Sequence, residues 1–275
     1  MKMPGESTRA WEPFTPRGVA AFAGAGFGRL LLVQCIVGLW AGVAVAWFID
    51  NHYFPAVSNA VQKLPAGGEI RSGRLDWQGR SPELLAGGHF LALDVDLDHS
   101  GQIGPSSDVQ IELGRETVRI FSLLGYLEWN YPSDDVIAFN RTALEPLWGA
   151  WAVEILMMAG AAVTLGLLLS WVLLATVYSL PVWLMGFFAN RDLNFRRSWR
   201  LAGAALMPGA TVMVAAVLLY GAGFLNLVSF TFIFTAHFVI GWVYLCVSLL
   251  FVPRAPRTTK GGNPFRRSRP EREGT

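Results

Sequence analysis

The sequence predicts a membrane α-helical bundle of four transmembrane helices, with a small extracytoplasmic β-rich (α+β) domain inserted between helices 1 and 2. Of its 275 residues, 53% are hydrophobic and 15% are charged, whereas a soluble domain carries about 25% charged residues. The apolar residues are collected in long runs that flank one polar segment. Within that segment, apolar and polar residues alternate as they do in β-strands.

The first predicted elements are a tail and a span. Residues 1–29 combine four basic residues with three prolines, which predicts a cytoplasmic N-terminal tail. Residues 30–49 contain Gln34 as their only strongly polar member. A helix of this length spans about 30 Å, the thickness of one hydrocarbon core, and is therefore predicted to be transmembrane helix 1.

Residues 50–147 are predicted to form the extracytoplasmic β-rich domain. Its segment 89–98 (HFLALDVDLD) alternates strictly, which predicts a strand with a buried leucine face and a wet aspartate face. The aspartates also resemble the start of a calcium loop, but the EF-hand pattern requires Gly and Glu where His99 and Pro105 stand. We therefore predict no metal site. The aspartates concerned are Asp94, Asp96 and Asp98.

Other stretches of this segment predict shorter elements. Apolar residues at helical spacing predict a short amphipathic helical extension over 50–64. Two short strands, or one strand with a bulge, are predicted around Gly73. A hairpin is predicted on either side of Gly114, and Ser122–Trp129 is predicted to form at least one helical turn.

The apolar run 148–189 has two interpretations. It could be one span that Pro181 breaks, followed by a segment at the membrane surface, or two spans folded as a tight hairpin. The hairpin would place the next basic loop beside the acidic domain, whereas basic loops favour the cytoplasm. We therefore predict transmembrane helix 2 at 148–178 and a cytoplasmic interfacial segment with a basic loop at 179–200.

The rest of the chain completes the predicted topology. Transmembrane helix 3 is predicted at 201–222, transmembrane helix 4 at 229–252 and a basic disordered tail at 253–275. The two tails and the loop 190–200 hold 15 basic and five acidic residues, whereas the segment 50–147 holds seven basic and 14 acidic residues. Four spans with both termini inside would place every basic block in the cytoplasm. We predict a bacterial cytoplasmic (inner) membrane protein.

Two ionisable residues lie inside predicted spans. Glu154 is six residues into helix 2 and His237 is about eight residues into helix 4, so both are expected about 9–12 Å below the extracytoplasmic surface. Ionisable groups in spans usually face the bundle interior and find partners. This candidate pair could serve a proton relay or a ligand site, or it could be a structural hydrogen-bonded pair.

Basic residues near the predicted cytoplasmic surface are candidates for contact with lipid. They could bind anionic head groups, but enforcement of topology is the default interpretation. Nucleic acid is not a predicted partner, because no aromatic interleaving or nucleic-acid-binding fold accompanies them. These candidates are Arg196, Arg197, Arg200, Arg254 and Arg257.

The stretch 198–208 (SWRLAGAALMP) resembles the helix start of Yip-like membrane proteins. The chain is more similar to a related, uncharacterised bacterial family of multi-pass membrane proteins, which it resembles also in its Leu64-Pro65 pair and in the phrase G-x-I-x-x-G-x-L that begins at Gly68. The resemblance implies an integral membrane protein without an assigned reaction. It implies no catalytic residues.

No recognisable catalytic motif occurs, neither H-E-x-x-H nor a P-loop nor G-x-S-x-G. We therefore predict no enzyme, no cofactor and no metal. The predicted function is a non-enzymatic anchor, scaffold or sensor that contacts the lipid bilayer and presents its extracytoplasmic domain to a protein partner. The alternative is a transporter or transporter accessory subunit that uses Glu154 and His237, and an intramembrane enzyme is a third hypothesis. The oligomeric state is not predicted.

Overall fold

The computed structural model describes residues 11–255. The helices are α1 (Pro16–Phe22), α2 (Phe27–Phe48), α3 (Phe54–Lys63), α4 (Arg141–Phe188), α5 (Phe195–Ala205), α6 (Met207–Gly221) and α7 (Leu227–Leu249), with a π-helical turn at Ile49–Tyr53 between α2 and α3. The strands are β1 (Gly68–Arg71), β2 (Arg74–Trp77), β3 (Glu83–Ala86), β4 (Leu91–Val95), β5 (Val109–Leu113), β6 (Thr117–Ser122), β7 (Gly125–Asn130) and β8 (Ile137–Ala138).

Within residues 11–255, four helical segments are long and apolar enough to cross a membrane. They are Phe27–Lys63, Arg141–Phe188, Phe195–Gly221 and Leu227–Leu249. The β-rich part of the chain lies between the first and the second of them. The predicted combination of apolar helices with a sheet domain is therefore confirmed, while the boundaries and the order of smaller elements differ from the prediction.

The domain contains two sheets. Strands β2, β1 and β8 form a small antiparallel sheet, and β3, β4, β5, β6 and β7 form a five-stranded sheet in that order. All neighbours in the larger sheet are antiparallel except β4 and β5, which are parallel. The two strands predicted around Gly73 exist as the hairpin β1–β2, and the hairpin predicted at Gly114 exists as β5–β6.

The aspartate face of β4 is buried, which corrects the prediction of a wet face. Asp94 and Asp96 are at most 1% exposed, whereas only the side chain of Asp98, beyond the strand, is exposed. The crossover between the parallel strands β4 and β5 covers this face: the Ser106 N–H donates to Gln110, and His99 contacts Glu112. Parallel strands require a long crossover, and here the crossover passes over the polar face of β4. The alternation of apolar and polar residues along β4 does not predict this cover.

The segment Ser122–Trp129 forms most of strand β7 and the turn before it, so the predicted helical turn is wrong. Gly125 at the start of β7 has φ of +113°, a conformation that side-chain-bearing residues rarely adopt and that turns the chain back on itself. From Tyr126 onward the chain pairs with β6, with Val118 opposite Trp129. The hairpin β6–β7 therefore forms one edge of the larger sheet.

Helix α1 lies where the sequence predicts part of a loose tail. Val19 and Phe22 are fully buried in the main core of the bundle, and Thr15 caps the helix by accepting a hydrogen bond from the Gly18 N–H. Gly18 has no room for a side chain, since a Cβ there would lie 1.8 Å from the Glu12 carbonyl oxygen. The predicted tail 1–29 is therefore structured from residue 16, and its first ten residues lie outside the described part.

Helix α4 runs without interruption through 48 residues, so the tight hairpin does not form and Pro181 does not break the helix. Proline removes one backbone hydrogen bond. If the helix ended there in apolar surroundings, many more backbone groups would be left unpaired. Helix α4 ends at Phe188, and Asn190 follows in the left-handed conformation with φ of +53°.

The predicted basic loop 179–200 is helical at both ends. Its first ten residues belong to α4, and α5 begins at Phe195 with Asn194 as its N-cap. A short turn at Leu206 separates α5 from α6, and Pro208 stands in the first turn of α6, where its missing N–H costs nothing. The third apolar segment therefore begins six residues before the predicted transmembrane helix 3.

Close contacts between small residues hold the bundle together. A Cβ on Gly42 of α2 would lie 2.5 Å from the Gly160 carbonyl oxygen of α4. The Thr164 hydroxyl donates to the Gly38 carbonyl, at 3.2 Å. Small residues permit this approach of helices in lipid, so α2 and α4 form an antiparallel pair in fixed register.

Candidate functional site

The most distinctive site of the molecule is an apolar groove at the junction between the domain and the bundle. Its volume is about 350 Å³, within the range of small-molecule pockets. All of its lining residues are aliphatic or aromatic: Val57, Ala60, Val61, Leu64, Leu85, Leu93, Leu113, Phe139, Leu144, Leu147, Trp148 and Trp151.

One wall of this junction groove is helix α3. The π-helical turn joins α3 to α2 without a loop, so the position of α3 is set by the end of a long helix. Ala56 and Ala60 face the domain core, while Val57 is half-buried at the groove. The opposite wall is the first part of α4, where the Trp148 indole N–H donates to the Ser58 hydroxyl at 2.8 Å. This bond joins the two helical walls.

The floor of the junction groove is the apolar face of the larger sheet. Leu85 of β3, Leu93 of β4 and Leu113 of β5 line the groove from three adjacent strands. Leu85 and Leu113 are also part of the domain core. An apolar ligand in the groove would therefore contact the face of the sheet that the alternation of β4 correctly predicts to be apolar.

The mouth of the junction groove opens beside the exposed apolar surface of α4. Leu147 and Trp151 are 52% and 55% exposed, and the apolar surface continues along the helix to Val153 and Met157. Water is a poor solvent for such a continuous apolar surface. The geometry allows a flexible apolar chain to pass from the surface of α4 into the groove.

The domain is fixed on the bundle by an aromatic group, the junction cluster of Phe48, His52, Phe90, Tyr220 and Phe230. Phe90 precedes β4 and lies 5.2 Å from Phe48 and 4.8 Å from Tyr220, measured between ring centroids. Tyr220 also stacks on Phe230 at 4.8 Å and donates its hydroxyl hydrogen to Asp108 at the start of β5. The larger sheet and helices α2, α6 and α7 thus meet in one contact.

The crossover side of the sheet holds a buried acidic group. Asp94 and Glu112 are register partners on β4 and β5. Asp94 Oδ1 accepts a hydrogen bond from Gln110 at 2.9 Å, whereas its Oδ2 has no partner. Burial, with the charges of Glu112 and Asp96 added, raises the pKa of Asp94 to about 6. Among residues 11–255, no group of three acidic, histidine or cysteine side chains has the arrangement of a metal site.

Asp96 behaves differently although its side chain is equally hidden from solvent. Burial opposes its ionisation, but hydrogen bonds from the Ser100 hydroxyl and the Gly101 N–H lower its pKa. Asp96 also lies less deep in the protein than Asp94, so the two aspartates differ both in depth and in the number of donors. Asp96 fixes the start of the crossover, and Asp94 carries an uncompensated carboxylate oxygen.

The structure does not bring Glu154 and His237 together. Glu154 is exposed on α4, and the His237 ring bonds to the Phe234 carbonyl of its own helix. No hydrogen bond or ion pair between them occurs in the described chain, and their depths differ. The contact of Gly42 with Gly160 in this antiparallel pair places Glu154 level with Phe48, at the end of α2.

His237 lies much deeper in the bundle. Its carbonyl oxygen would be 2.7 Å from a Cβ on Gly209, which is eleven residues, or about 16 Å, from Tyr220 at the domain end of α6. The expected common depth of the two residues therefore does not hold, because α4 extends further into the domain than the sequence predicts. The hypothesis of a transporter that uses this pair stays a prediction.

At the opposite end of the bundle, a second pocket collects predicted basic residues. This basic pocket, of about 590 Å³, is lined by Phe27, Asn194, Phe195, Arg196, Trp199 and Arg200. Arg200 bonds to the Ala25 carbonyl, and its Nε is buried without a partner. Arg197 is outside the pocket and pairs with Asp192. Arg254 is exposed nearby on the C-terminal side, and Arg257 lies outside the described residues.

Comparison with family models, with curated proteins and with solved structures finds no match. The resemblance to Yip-like membrane proteins stays a prediction that rests on its short motifs.

The junction groove is not predicted by the sequence. Its walls and floor come from residues 57–64, 85–113 and 139–151, which are far apart in the chain. One signal was available: the apolar residues at helical spacing in 54–64 and the tryptophan at 148 lie on either side of the domain. The tertiary packing decides which face of each helix points towards the other. It also decides that a groove separates the two faces.

Proposed function

We propose that this protein is a non-enzymatic membrane protein whose β-rich domain binds an acyl chain of a lipid in the junction groove. In this proposal, four spans anchor the domain on the extracytoplasmic side of a bacterial cytoplasmic membrane, with both termini in the cytoplasm. Its role is that of a lipid sensor or of a scaffold that presents a lipid-loaded domain to a protein partner.

The observation that carries the proposal is the composition and position of the junction groove. Twelve apolar side chains line it, so no charged or polar ligand group would find a partner inside. Its mouth residues Leu147 and Trp151 lie one to two helical turns before Glu154, which is level with the end of α2. In a bilayer that surrounds the four helices, the mouth would lie in the interfacial layer, where a lipid chain can reach it.

The charge distribution supports the orientation. The described end opposite the domain carries Arg17, Arg29, Arg191, Arg196, Arg197, Arg200 and Arg254, whereas the segment 50–147 has twice as many acidic as basic residues. Basic residues in short loops favour the cytoplasmic side of a membrane. The domain therefore belongs on the other side.

The test is cross-linking of the full chain in nanodiscs that contain a phospholipid with a photoreactive group near the end of one acyl chain. We expect cross-links on the groove floor at Leu85 and Leu113, which are at most 8% exposed, in addition to cross-links along the spanning helices. Cross-links confined to the spanning helices would overturn the proposal.

A matched pair of variants tests whether the groove is responsible. Val57→Trp places a large ring in the groove from a half-buried position and should abolish the floor cross-links. Leu165→Trp adds the same ring at a site of α4 that is 66% exposed and far from the groove, and it should leave them unchanged. Equal loss in both variants would show that the floor cross-links do not depend on the groove.

A further inference from the structure

We propose that the tip of the β6–β7 hairpin inserts into the lipid leaflet on the domain side and forms an additional membrane contact. This goes beyond the binding of an acyl chain, and it rests on the proposed function only in requiring a bilayer around the four helices. The tip consists of Leu123 and Leu124, with Ser122 at the end of β6 and Gly125 at the start of β7 on either side.

The tip exposes apolar side chains that nothing in the described chain covers. Leu124 is 92% exposed and Leu123 is 51% exposed. Behind them, Tyr126 and Leu127 are 58% and 62% exposed. Two leucines at the end of a protruding hairpin are costly in water, because each keeps most of its apolar area hydrated.

The register of the sheet places this tip at the end of the domain that faces the bundle. Strand β5 begins beside Asp108, which accepts the hydrogen bond from Tyr220 at the domain end of α6. Strand β6 returns antiparallel to β5, with Gln110 opposite Phe121. Continuing this register by two residues places Leu123 level with Asp108, and therefore level with the end of α6.

The charges of the hairpin mark where the contact with lipid would end. No charged residue occurs from Ile120 to Leu127. The first charges on the two strands, Arg119 and Glu128, are cross-strand partners and form an ion pair at 3.3 Å. They lie about 13 Å from the tip at 3.3 Å per residue. Interfacial segments enter the membrane to a depth of about 5–10 Å, so the uncharged part of the hairpin is long enough to do so.

The other end of the same strands is different. The turn between β5 and β6 contains Arg115 and Glu116, both exposed, and they pair with Asp98 and Arg74. This turn lies at the far end of the sheet from the bundle. The hairpin strands thus have an apolar end toward the bundle and a charged end away from it, which fits a bilayer as the partner of the tip.

The experiment places an environment-sensitive fluorophore on single cysteines in the full chain, after Cys35 and Cys246 are replaced by Ala. Leu124→Cys reports on the tip, Glu116→Cys on the far turn and Leu165→Cys, 66% exposed on α4, on a site inside the proposed span. The proteins are reconstituted in nanodiscs with or without phospholipid that carries a nitroxide quencher on its acyl chain. Thermal unfolding checks that each labelled chain keeps the stability of its parent.

We expect blue-shifted and quenched emission at positions 124 and 165, and unquenched emission at 116. If 165 is quenched but 124 behaves like 116, the tip lies in water and the proposal is overturned. If 165 is not quenched either, the membrane topology fails instead. Self-quenching at 124 without any effect of the nitroxide lipid would identify a second copy of this chain as the partner of the tip, which also overturns the proposal.

Discussion

The two ends of the helical bundle differ in how their pockets are built. The basic pocket takes five of its six lining residues from the stretch 194–200, so neighbours in the sequence are neighbours in the pocket. The junction groove takes its lining from two helices, three strands and the segments between them, over almost a hundred residues. One end is therefore a local feature of one helix start, whereas the other end exists only when the domain is docked on the bundle.

This difference predicts which end is sensitive to disruption of tertiary packing. A local pocket survives as long as α5 remains helical beside the start of α2. The groove requires the sheet, α3 and α4 to hold their relative positions, and the junction cluster supplies that restraint.

The largest effect is expected from Phe90→Ala. Phe90 is 8% exposed and contacts Phe48, His52 and Tyr220, so its removal should cost about 3–5 kcal/mol of stability. Hydrogen exchange should rise in β4 and β5 and stay unchanged in α5. Phe187→Ala, at a side chain that is 70% exposed at the other end, is the control. Equal increases in exchange at both ends would contradict the comparison.

Asp94→Asn should stabilise the domain end in a pH-dependent manner. The pKa of Asp94 is about 6 in the folded chain and near 3.8 as a free carboxyl group, so the native state binds more protons than the unfolded state between these values. The free energy of unfolding therefore falls as the pH rises from about 4 to 6 and stays low above that. Since one pKa unit corresponds to about 1.4 kcal/mol, the variant should gain up to about 3 kcal/mol at pH 8 and little at pH 4.

Hydrogen exchange of β4 and β5 measures this gain. The variant and the parent chain are compared at the same pH, because the intrinsic exchange rate itself changes with pH. Asp98→Asn is the matched control, because Asp98 is exposed and pairs with Arg115 at the surface. A gain that is the same at pH 4 and pH 8 would show that ionisation of Asp94 is not its cause.

Gly42→Ala should weaken the contact of α2 with α4, on which both ends depend. The added Cβ would lie 2.4 Å from the Thr164 hydroxyl and 2.5 Å from the Gly160 carbonyl oxygen, an overlap that costs about 1–3 kcal/mol. The midpoint of thermal unfolding in detergent should fall. Gly166→Ala adds the same atom to α4 where nothing lies within 4 Å and should leave the midpoint unchanged or raise it.

The smallest effect is expected at the basic pocket. Arg196→Gln should remove about 1 kcal/mol of attraction to anionic lipid, which corresponds to roughly fivefold weaker retention of such lipids in native mass spectrometry. Arg74→Gln removes an exposed arginine from the domain, where it pairs with Glu116, and should not change retention. If both variants lose lipid equally, overall charge and not the pocket attracts the lipid.

The sequence predicted the features that depend on composition and on short periods. Four apolar segments, the strands around Gly73, the hairpin at Gly114 and the apolar face of β4 follow from hydropathy and alternation. It could not predict what lies against the aspartate face of β4, because the crossover that covers it has no regular pattern. Alternation distinguishes the two faces of a strand, but it does not show whether water or other protein segments contact each face.

The site residues divide in the same way. Arg196 and Arg200 share a pocket because they lie on one short helix. Glu154 and His237 do not meet, because their expected depths assumed that the second span begins at residue 148. Helix α4 instead begins at Arg141, and Glu154 lies level with Phe48 at the end of α2. Depth inside a bundle depends on helix register, which small residues such as Gly42 and Gly160 set through tertiary contact.

Helix α4 has a mechanical consequence that follows from its length. Its 48 residues measure about 72 Å at 1.5 Å per residue, more than twice the hydrocarbon thickness of a bilayer. In a thicker or thinner membrane, a helix of this length would adjust its tilt. Helix α4 also carries Trp148 and Trp151 of the groove wall, whereas the sheet that forms the floor is held by α2 and α6. Because α4 is also packed on α2 at Gly42 and joined to α3 by the hydrogen bond of Trp148 to Ser58, a change in its tilt would act on the whole junction and not on one wall alone.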